Sequence, residues 1–199
     1  MELDGLYQDI NNKVGGMTRE EFESIRPHFK HLTTRKKHML VAEGYINNKL
    51  FFVEHGLAYN YKTLENGQTR VITFARENEW ISDMESFISG DVAQLNVETL
   101  ESCSIWTLTK EDWELVCMKS PAMMEYSNLN YALCTKILYA QLSGLLSKDA
   151  EARYLQLLKD KPDLIQRVPQ YLIASYLGIL PSSLSRIRSS KKQFIGIGE

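Results

Sequence analysis

Residues 167 to 188 constrain the fold of this chain more than any other segment. Ala174 offers a small side chain where two steeply crossing helices would touch, and Gly178 tolerates the left-handed backbone that ends a helix. Apolar residues flank this turn at helical spacing, namely Leu172, Ile173, Tyr176, Leu177, Ile179, Leu184 and Ile187. The pattern predicts a helix-turn-helix.

The second predicted helix has a free face that is polar and basic. The residues of this face and of the exit from the helix are Ser182, Ser183, Ser185, Arg186, Arg188, Lys191 and Lys192. Serine can reach phosphates or base edges, and arginine can form two hydrogen bonds with guanine in the DNA major groove. DNA binding is the favoured interpretation, and an ordinary helical hairpin with a solvated polar face is the alternative.

The charge distribution favours the same interpretation. Residues 167 to 199 contain five Lys or Arg and one acid, a net of +4, whereas the whole chain has a formal net charge of −2. Residues 1 to 166 therefore carry −6. A basic end on an acidic body is expected when that end meets a polyanion.

Composition excludes several other classes of protein. A chain of 199 residues with 44% hydrophobic content is not disordered, and it contains no run typical of a signal peptide or a membrane span, so we expect a cytoplasmic protein. Cys103, Cys117 and Cys134 are far apart, which favours reduced, buried thiols over a metal site. We expect no metal, no cofactor and no enzymatic activity, because neither a nucleophile motif nor a phosphate loop occurs.

The first part of the chain changes from helical to β-type. Residues 3 to 25 are predicted to be helical, with Thr18 capping a helix. Short strands are then predicted at 39–42, 50–54, 58–64, 70–74, 95–100 and 104–108. Asn66 and Gly67 indicate a tight hairpin between two of these strands, and the even spacing of the strands favours a small antiparallel barrel or jelly roll.

The remainder is predicted to be helical. Thr109 is a second helix cap, and residues 121 to 147 carry a continuous apolar stripe consisting of Met124, Leu129, Leu133, Ile137, Leu138, Leu142, Leu145 and Leu146. Part of this stripe should cover the barrel and the rest should pair with a second subunit. Another helix is expected at 149–159. The predicted fold class is therefore α+β, with a sensor domain at 1–120, a dimerisation helix at 121–148 and a DNA-binding domain at 149–199.

This order of barrel, long helix and helix-turn-helix resembles the Crp-Fnr family of bacterial transcription regulators. The likeness is strongest at Ala174, Gly178 and Ser183–Ile187, and in the barrel at Glu43–Gly44, Phe52–Gly56 and Glu79–Phe87. The resemblance implies a cyclic-nucleotide-binding-type sensor, a homodimer, binding to double-stranded DNA and a base-contacting role for Arg186.

The same resemblance implies an effector-binding loop, and this sequence differs from the family pattern at several positions of that loop. The effector-binding positions correspond to Ser82, Asp83, Glu85, Ala93 and Gln94. Asp83 stands in place of a glutamate that binds the ribose hydroxyl, and Ala93 and Gln94 replace an arginine and a hydroxyl residue that bind the phosphate. Any small-molecule effector is thus expected to differ from cyclic AMP. Capping and solvation are the alternative roles for Asp83, Glu85 and Gln94.

The chain after the recognition helix also departs from the family. Residues 189 to 199 are too short for the β-hairpin wing that usually follows this helix and fit one strand at most. We expect DNA binding to depend on the recognition helix and on dimerisation. The alternative is a ligand-binding or partner-binding signalling module without competent DNA binding.

Overall fold

The structure, a computed structural model, describes residues 3 to 192. Its helices are α1 (Asp4–Lys13), α2 (Arg19–Ile25), α3 (Met84–Ser89), α4 (Lys110–Lys119), α5 (Pro121–Ser147), α6 (Ala150–Asp160), α7 (Pro162–Arg167), α8 (Gln170–Tyr176) and α9 (Pro181–Lys192). Its strands are β1 (Lys30–Thr34), β2 (Met39–Val41), β3 (Lys49–His55), β4 (Ala58–Thr63), β5 (Thr69–Ala75), β6 (Glu79–Ile81), β7 (Asn96–Thr99) and β8 (Cys103–Thr109).

The strands form two four-stranded sheets, as a jelly roll requires. One sheet has the order β1-β8-β3-β6 and the other has the order β2-β7-β4-β5. The pairs β1/β8, β3/β8, β3/β6, β2/β7 and β4/β7 are antiparallel. A buried cluster that includes Val41, Val53, Ala93 and Val97 draws residues from both sheets. The predicted mixed fold with an antiparallel barrel is confirmed.

All six predicted strands are present, although two strands, β1 and β6, and two helices, α3 and α7, were not anticipated. Strand β1 contains Thr33 and Thr34 beside charged neighbours, and β6 has three residues, so neither gives a clear alternation signal. Strand β6 exists because it pairs with β3, where Phe52 lies opposite Trp80. Tertiary pairing therefore determines these two strands.

The predicted helix caps and hairpin turn have the expected hydrogen bonds. Thr18 accepts a hydrogen bond from the backbone N–H of Glu21 at 3.1 Å, and Thr109 accepts one from Asp112 at 3.1 Å. At the predicted turn between β4 and β5, Gly67 has a φ of +78°, a conformation that glycine adopts without steric cost. These local signals determine where the elements begin and end.

Helix α5 spans the residues that the apolar stripe predicted, but other side chains on it join the core. Met123 and Tyr126 are fully buried, whereas Met124 of the predicted stripe is 43% exposed. The Tyr126 hydroxyl donates to Asp9 at 2.5 Å and accepts from the Trp80 indole N–H at 2.9 Å. Burial and the nearby Asp9 carboxylate raise the pKa of Tyr126, so the phenol stays protonated.

The chain forms two compact units. The first comprises residues 1–63 and 72–135, and the second comprises 64–71 and 136–199. The domain boundary predicted after residue 120 is where α5 begins, and the units divide within that helix. In the second unit, the chain continues after α6 into the short helix α7. Pro162 can occupy the first position of this helix because no backbone N–H is needed there.

Candidate functional site

The turn between α8 and α9 has the geometry that the sequence predicts. Gly178 has a φ of +68°, and the N–H of Ile179 reaches back to the carbonyl of Ala174 at 3.0 Å, which is a glycine-dependent helix ending. Ala174 is fully buried, and Leu184 is 1% exposed on the inner side of α9. The two helices therefore pack through the predicted small and apolar residues.

Polar contacts within the second unit hold α8 and this turn in place. The Ser175 hydroxyl donates to the carbonyl of Thr69 at 2.6 Å and accepts from the N–H of Val71 at 2.9 Å. The Arg153 guanidinium donates to the carbonyl of Leu177 through two nitrogens, at 3.1 and 2.9 Å. Sequence analysis did not identify Ser175 or Arg153, because both act through partners distant in the chain.

The outer face of α9 is available to a partner. Ser182, Ser185 and Arg186 are exposed, while Ser183 and Arg188 are half-buried. Within residues 3–192, Arg186 makes one long contact, 3.4 Å from its guanidinium to the Ser183 hydroxyl, which leaves its other donors available to a ligand. Lys191 and Lys192 end α9, but their side chains lie outside the described part of the structure. At most one strand was predicted in residues 189 to 199; residues 189 to 192 belong to α9 instead, because the helix continues through them, and residues 193 to 199 lie outside the described part.

The predicted effector residues fall into a buried and an exposed group. Ser82, Asp83 and Ala93 are at most 3% exposed, whereas Glu85 and Gln94 are exposed. The structure thus brings Asp83 and Gln94 together in one loop but turns Glu85 outward on α3. A ligand that approached this loop from solvent would meet Glu85 and Gln94 first.

The carboxylate of Asp83 connects two segments of the effector loop. One oxygen accepts the N–H of Ser86 at 3.0 Å, which caps α3, and the other accepts the N–H groups of Gln94 and Leu95 at 2.7 and 2.8 Å. Both oxygens are therefore engaged by backbone donors. This arrangement is the capping role that the sequence left open for Asp83, extended to a second segment.

A network of buried polar side chains supports the same loop. The side-chain amide of Asn47 donates to the Ser82 hydroxyl at 2.8 Å and to the backbone carbonyl of Asp83 at 3.3 Å. The backbone N–H of Asn47 donates to the Ser86 hydroxyl at 2.9 Å. Ser82 in turn donates to the carbonyl of Lys49 at 2.6 Å. Asn47 and Ser86 were not predicted from sequence, since a lone Asn and Ser give no motif.

A lysine lies at the exposed end of the loop. The Lys62 ammonium is 3.3 Å from the amide oxygen of Gln94 and 3.2 Å from the carboxylate of Glu43. Ala93, at the predicted arginine position, is buried in the barrel core. A cation that reaches Gln94 therefore comes from β4, and a carboxylate already partly neutralises it.

The cysteines differ from one another in exposure. Cys103 and Cys117 are buried free thiols, as expected, and burial raises the pKa of each. Cys134 is exposed on α5, so the expectation that all three are buried is wrong for this residue, because residues 131 to 140 of the helix meet no core. Within residues 3–192 no cluster of His, Cys, Asp or Glu is arranged to hold a metal ion.

Comparisons with known proteins agree with this geometry. Residues 32–120 match the family described as the cyclic nucleotide-binding domain. A search of curated protein sequences gave no match.

None of the helices within the described residues has the length and apolar character needed to cross a membrane.

Solved structures share the fold over most of the chain. FixK2 from Bradyrhizobium japonicum is 17% identical, with 85% of this chain and 86% of that chain covered and a TM-score of 0.71. A CooA mutant from Carboxydothermus hydrogenoformans is also 17% identical, with 86% and 79% covered and a TM-score of 0.71. A Crp/Fnr-family transcriptional regulator from Eubacterium rectale is 14% identical, with 92% and 87% covered and a TM-score of 0.69.

The resemblance to the Crp-Fnr family is confirmed at the level of the fold, since these similarities extend beyond the barrel. Residues 32–120 match the cyclic nucleotide-binding domain family, and the chain has a fold similar to that of the Crp-Fnr structures.

Proposed function

We propose that this protein is a homodimeric, DNA-binding transcription regulator of the Crp-Fnr type. The observation that carries the proposal is the free polar face of α9, whose opposite side is anchored through buried Leu184. Ser182, Ser185 and Arg186 project from it without a covering element among the described residues. A helix of this kind after a tight glycine turn fits the major groove of DNA.

Helix α5 supports the dimer in this proposal. Every residue from 131 to 140 is exposed, and several of them are large and apolar, including Ile137, Leu138 and Tyr139 at 45%, 52% and 70% exposed. Leu142 and Leu145 continue the surface at 53% and 51% exposed. Exposed apolar area of this extent on one helix marks an interface, and a second copy of the same helix would cover it symmetrically.

The effector proposal follows from the loop geometry. A cyclic phosphate would find the apolar, buried Ala93 where a cation is needed, and the carboxylate of Asp83 already occupies the nearby N–H groups. Loss of one charge-assisted contact costs about 1.5 to 3 kcal/mol. We infer that the domain either senses a molecule other than cyclic AMP, which Glu85 and Gln94 would contact from solvent, or serves a structural role.

In the regulated form of the proposal, an effector shifts the geometry of α5 at the dimer seam. That shift would change the distance between the two recognition helices and thereby the affinity for a palindromic site.

The Ser104 side chain does not have the partners of an activated serine nucleophile. One cluster places the Ser104 hydroxyl 2.7 Å from the His31 imidazole and 2.6 Å from the Glu54 carboxylate. Ser104 donates its proton to Glu54, so His31 is not positioned as the base that would activate a serine nucleophile. The cluster ties β1, β3 and β8 together instead.

A binding titration tests the DNA proposal. A palindrome selected from random duplexes, with half-sites about 34 to 36 Å apart, should bind the dimer far better than a single half-site. Arg186→Ala should cost about 1 to 3 kcal/mol per half-site and relax the preference at one base position. Arg167→Ala is the matched control, because Arg167 lies on α7 and pairs with Asp163 at 3.7 Å.

Two outcomes would contradict this assignment. If no duplex is selected, the chain is a signalling module that binds a ligand or a partner without DNA. If Arg186→Ala weakens selected and scrambled duplexes equally, Arg186 contacts only phosphates. Lys191→Ala and Lys192→Ala are expected to lower affinity for all sequences alike.

Calorimetry tests the effector proposal separately. Cyclic AMP should give a flat titration up to high micromolar concentration. Saturation below that range would contradict the inference, and loss of that saturation in Lys62→Gln would identify Lys62 as the cation that replaces the arginine.

A further inference from the structure

The first turn of α9 presents an apolar surface beside its polar side chains. Pro181 is exposed at the first position of the helix, and Leu180, which precedes it, is 65% exposed. The carbonyl of Leu180 accepts the N–H groups of Ser183 and Leu184 at 3.0 and 3.1 Å, so the backbone of this turn is fixed. We call Leu180 and Pro181 the apolar tip.

The apolar tip lies beside the side chains that the proposed function uses. Pro181 and Ser185 are four residues apart on α9, and so are Ser182 and Arg186, and the members of each such pair are neighbours on the surface of a helix. All four residues are exposed. One helical turn is about 5.4 Å, whereas neighbouring bases of one strand are about 3.4 Å apart. Side chains one turn apart on a helix in the groove therefore reach bases about one or two positions apart.

The chemistry of this face limits the bases that it can read. Residues 164–192 contain no acid, so no carboxylate there can accept a hydrogen bond from cytosine. Pro181 has no backbone N–H, and the side chain of Leu180 has no polar group, so the apolar tip offers no side-chain hydrogen bond to a base edge. The apolar group that a base presents in the major groove is the 5-methyl group of thymine. Thymine is therefore the base that matches the apolar tip.

We propose that the apolar tip packs against a thymine methyl group and thereby specifies thymine in each half-site, about one or two positions from the guanine that Arg186 binds. The inference rests on the proposed DNA-binding function. The net charge of +4 in residues 167–199 favours the same partner, since the phosphates around that thymine attract cations. Burial of one methyl group changes affinity by about four-fold for each half-site and by about 15-fold for a palindrome.

Deoxyuridine in place of thymidine tests this inference, because the replacement keeps the base pair and removes only the methyl group. Affinities are measured on the selected palindrome and on duplexes in which each thymine is replaced in both half-sites. Leu180→Ala/Pro181→Ala truncates the apolar tip, and Leu180→Met/Pro181→Val is the conservative variant that keeps it apolar. Pro162→Ala is the matched control, because Pro162 also occupies the first position of a helix in the second unit.

In the wild type, one thymine near the guanine identified by Arg186→Ala should be sensitive, and its replacement should weaken binding by about 15-fold. The same replacement should weaken the alanine variant by less than about three-fold, because little apolar surface then remains to contact the methyl group. The conservative variant and Pro162→Ala should keep the full loss.

Three results would count against the inference. If the wild type binds its selected duplex tightly and no thymine near that guanine is sensitive, the inference is overturned while the proposed function stands. An equal loss in the alanine variant and the wild type also overturns it, since another side chain would then contact the methyl group. If the wild type binds no duplex, the proposed function fails and this inference fails with it.

Discussion

The carboxylate of Asp83 holds two segments of the effector loop together. Asp83→Ala removes the cap of α3 and leaves the N–H groups of Gln94 and Leu95 without their acceptor. Loss of a helix cap costs about 0.5 to 2 kcal/mol. A buried donor that loses its acceptor costs about 1 to 3 kcal/mol. We use about 1 kcal/mol for each of the two N–H groups, because Gln94 is exposed and water can approach it. We therefore expect a loss of about 2.5 to 4 kcal/mol in the free energy of unfolding.

Urea denaturation followed by tryptophan fluorescence measures this loss in the relevant unit, because Trp80, Trp106 and Trp113 all lie in the first unit. Thr109→Ala is the matched control, since Thr109 caps a helix of the same unit with one backbone N–H, and its loss should cost about 0.5 to 2 kcal/mol. Glu85→Ala, at an exposed neighbour of Asp83, should stay within about 0.5 kcal/mol of the wild type. A cost for Asp83→Ala no greater than that for Thr109→Ala would refute the argument that Asp83 holds two segments.

Three smaller perturbations test other parts of the chain. Leu180 precedes α9 and is 65% exposed, so Leu180→Thr should supply a capping oxygen and stabilise the second unit by about 0.5 to 2 kcal/mol, measured by far-UV circular dichroism in urea; a lower midpoint would contradict this. Gly178→Ala should destabilise the same unit by about 1 to 2 kcal/mol, because Gly178 has a φ of +68°, and an unchanged midpoint in that assay would argue against the left-handed turn. The hydrogen bond with His28 lowers the pKa of Asp112 below its usual 3.8. Stability from Asp112 is therefore present above that value and lost as pH falls through the lower folded-state pKa, so Asp112→Asn should show a flatter decline of melting temperature below about pH 4; parallel declines would exclude this contribution.

The local sequence determined the elements whose signals lie within a few residues. The hydroxyl of Thr109 and the conformational freedom of Gly178 act on their own backbone neighbours, so their roles could be predicted without knowledge of the fold. The length of α5 follows in the same way from the periodic apolar residues between Pro121 and Ser147. Helix caps, glycine turns and periodicity are short-range physics, and a sequence displays them directly.

Tertiary structure alone decided which side chains meet across large sequence separations. Asp83 acquires its second role only because folding brings residues 94 and 95 to it, and Lys62 reaches Gln94 only because β4 pairs with β7. The Thr99 hydroxyl donates to the carbonyl of Arg35, in the turn between β1 and β2, from 64 residues away in the sequence. A hydrogen bond depends on distance in space, which the order of residues does not encode locally. The sequence by itself therefore determined most of the elements and the turn before α9, whereas tertiary contacts decided β1 and β6 and the way in which the effector loop is held.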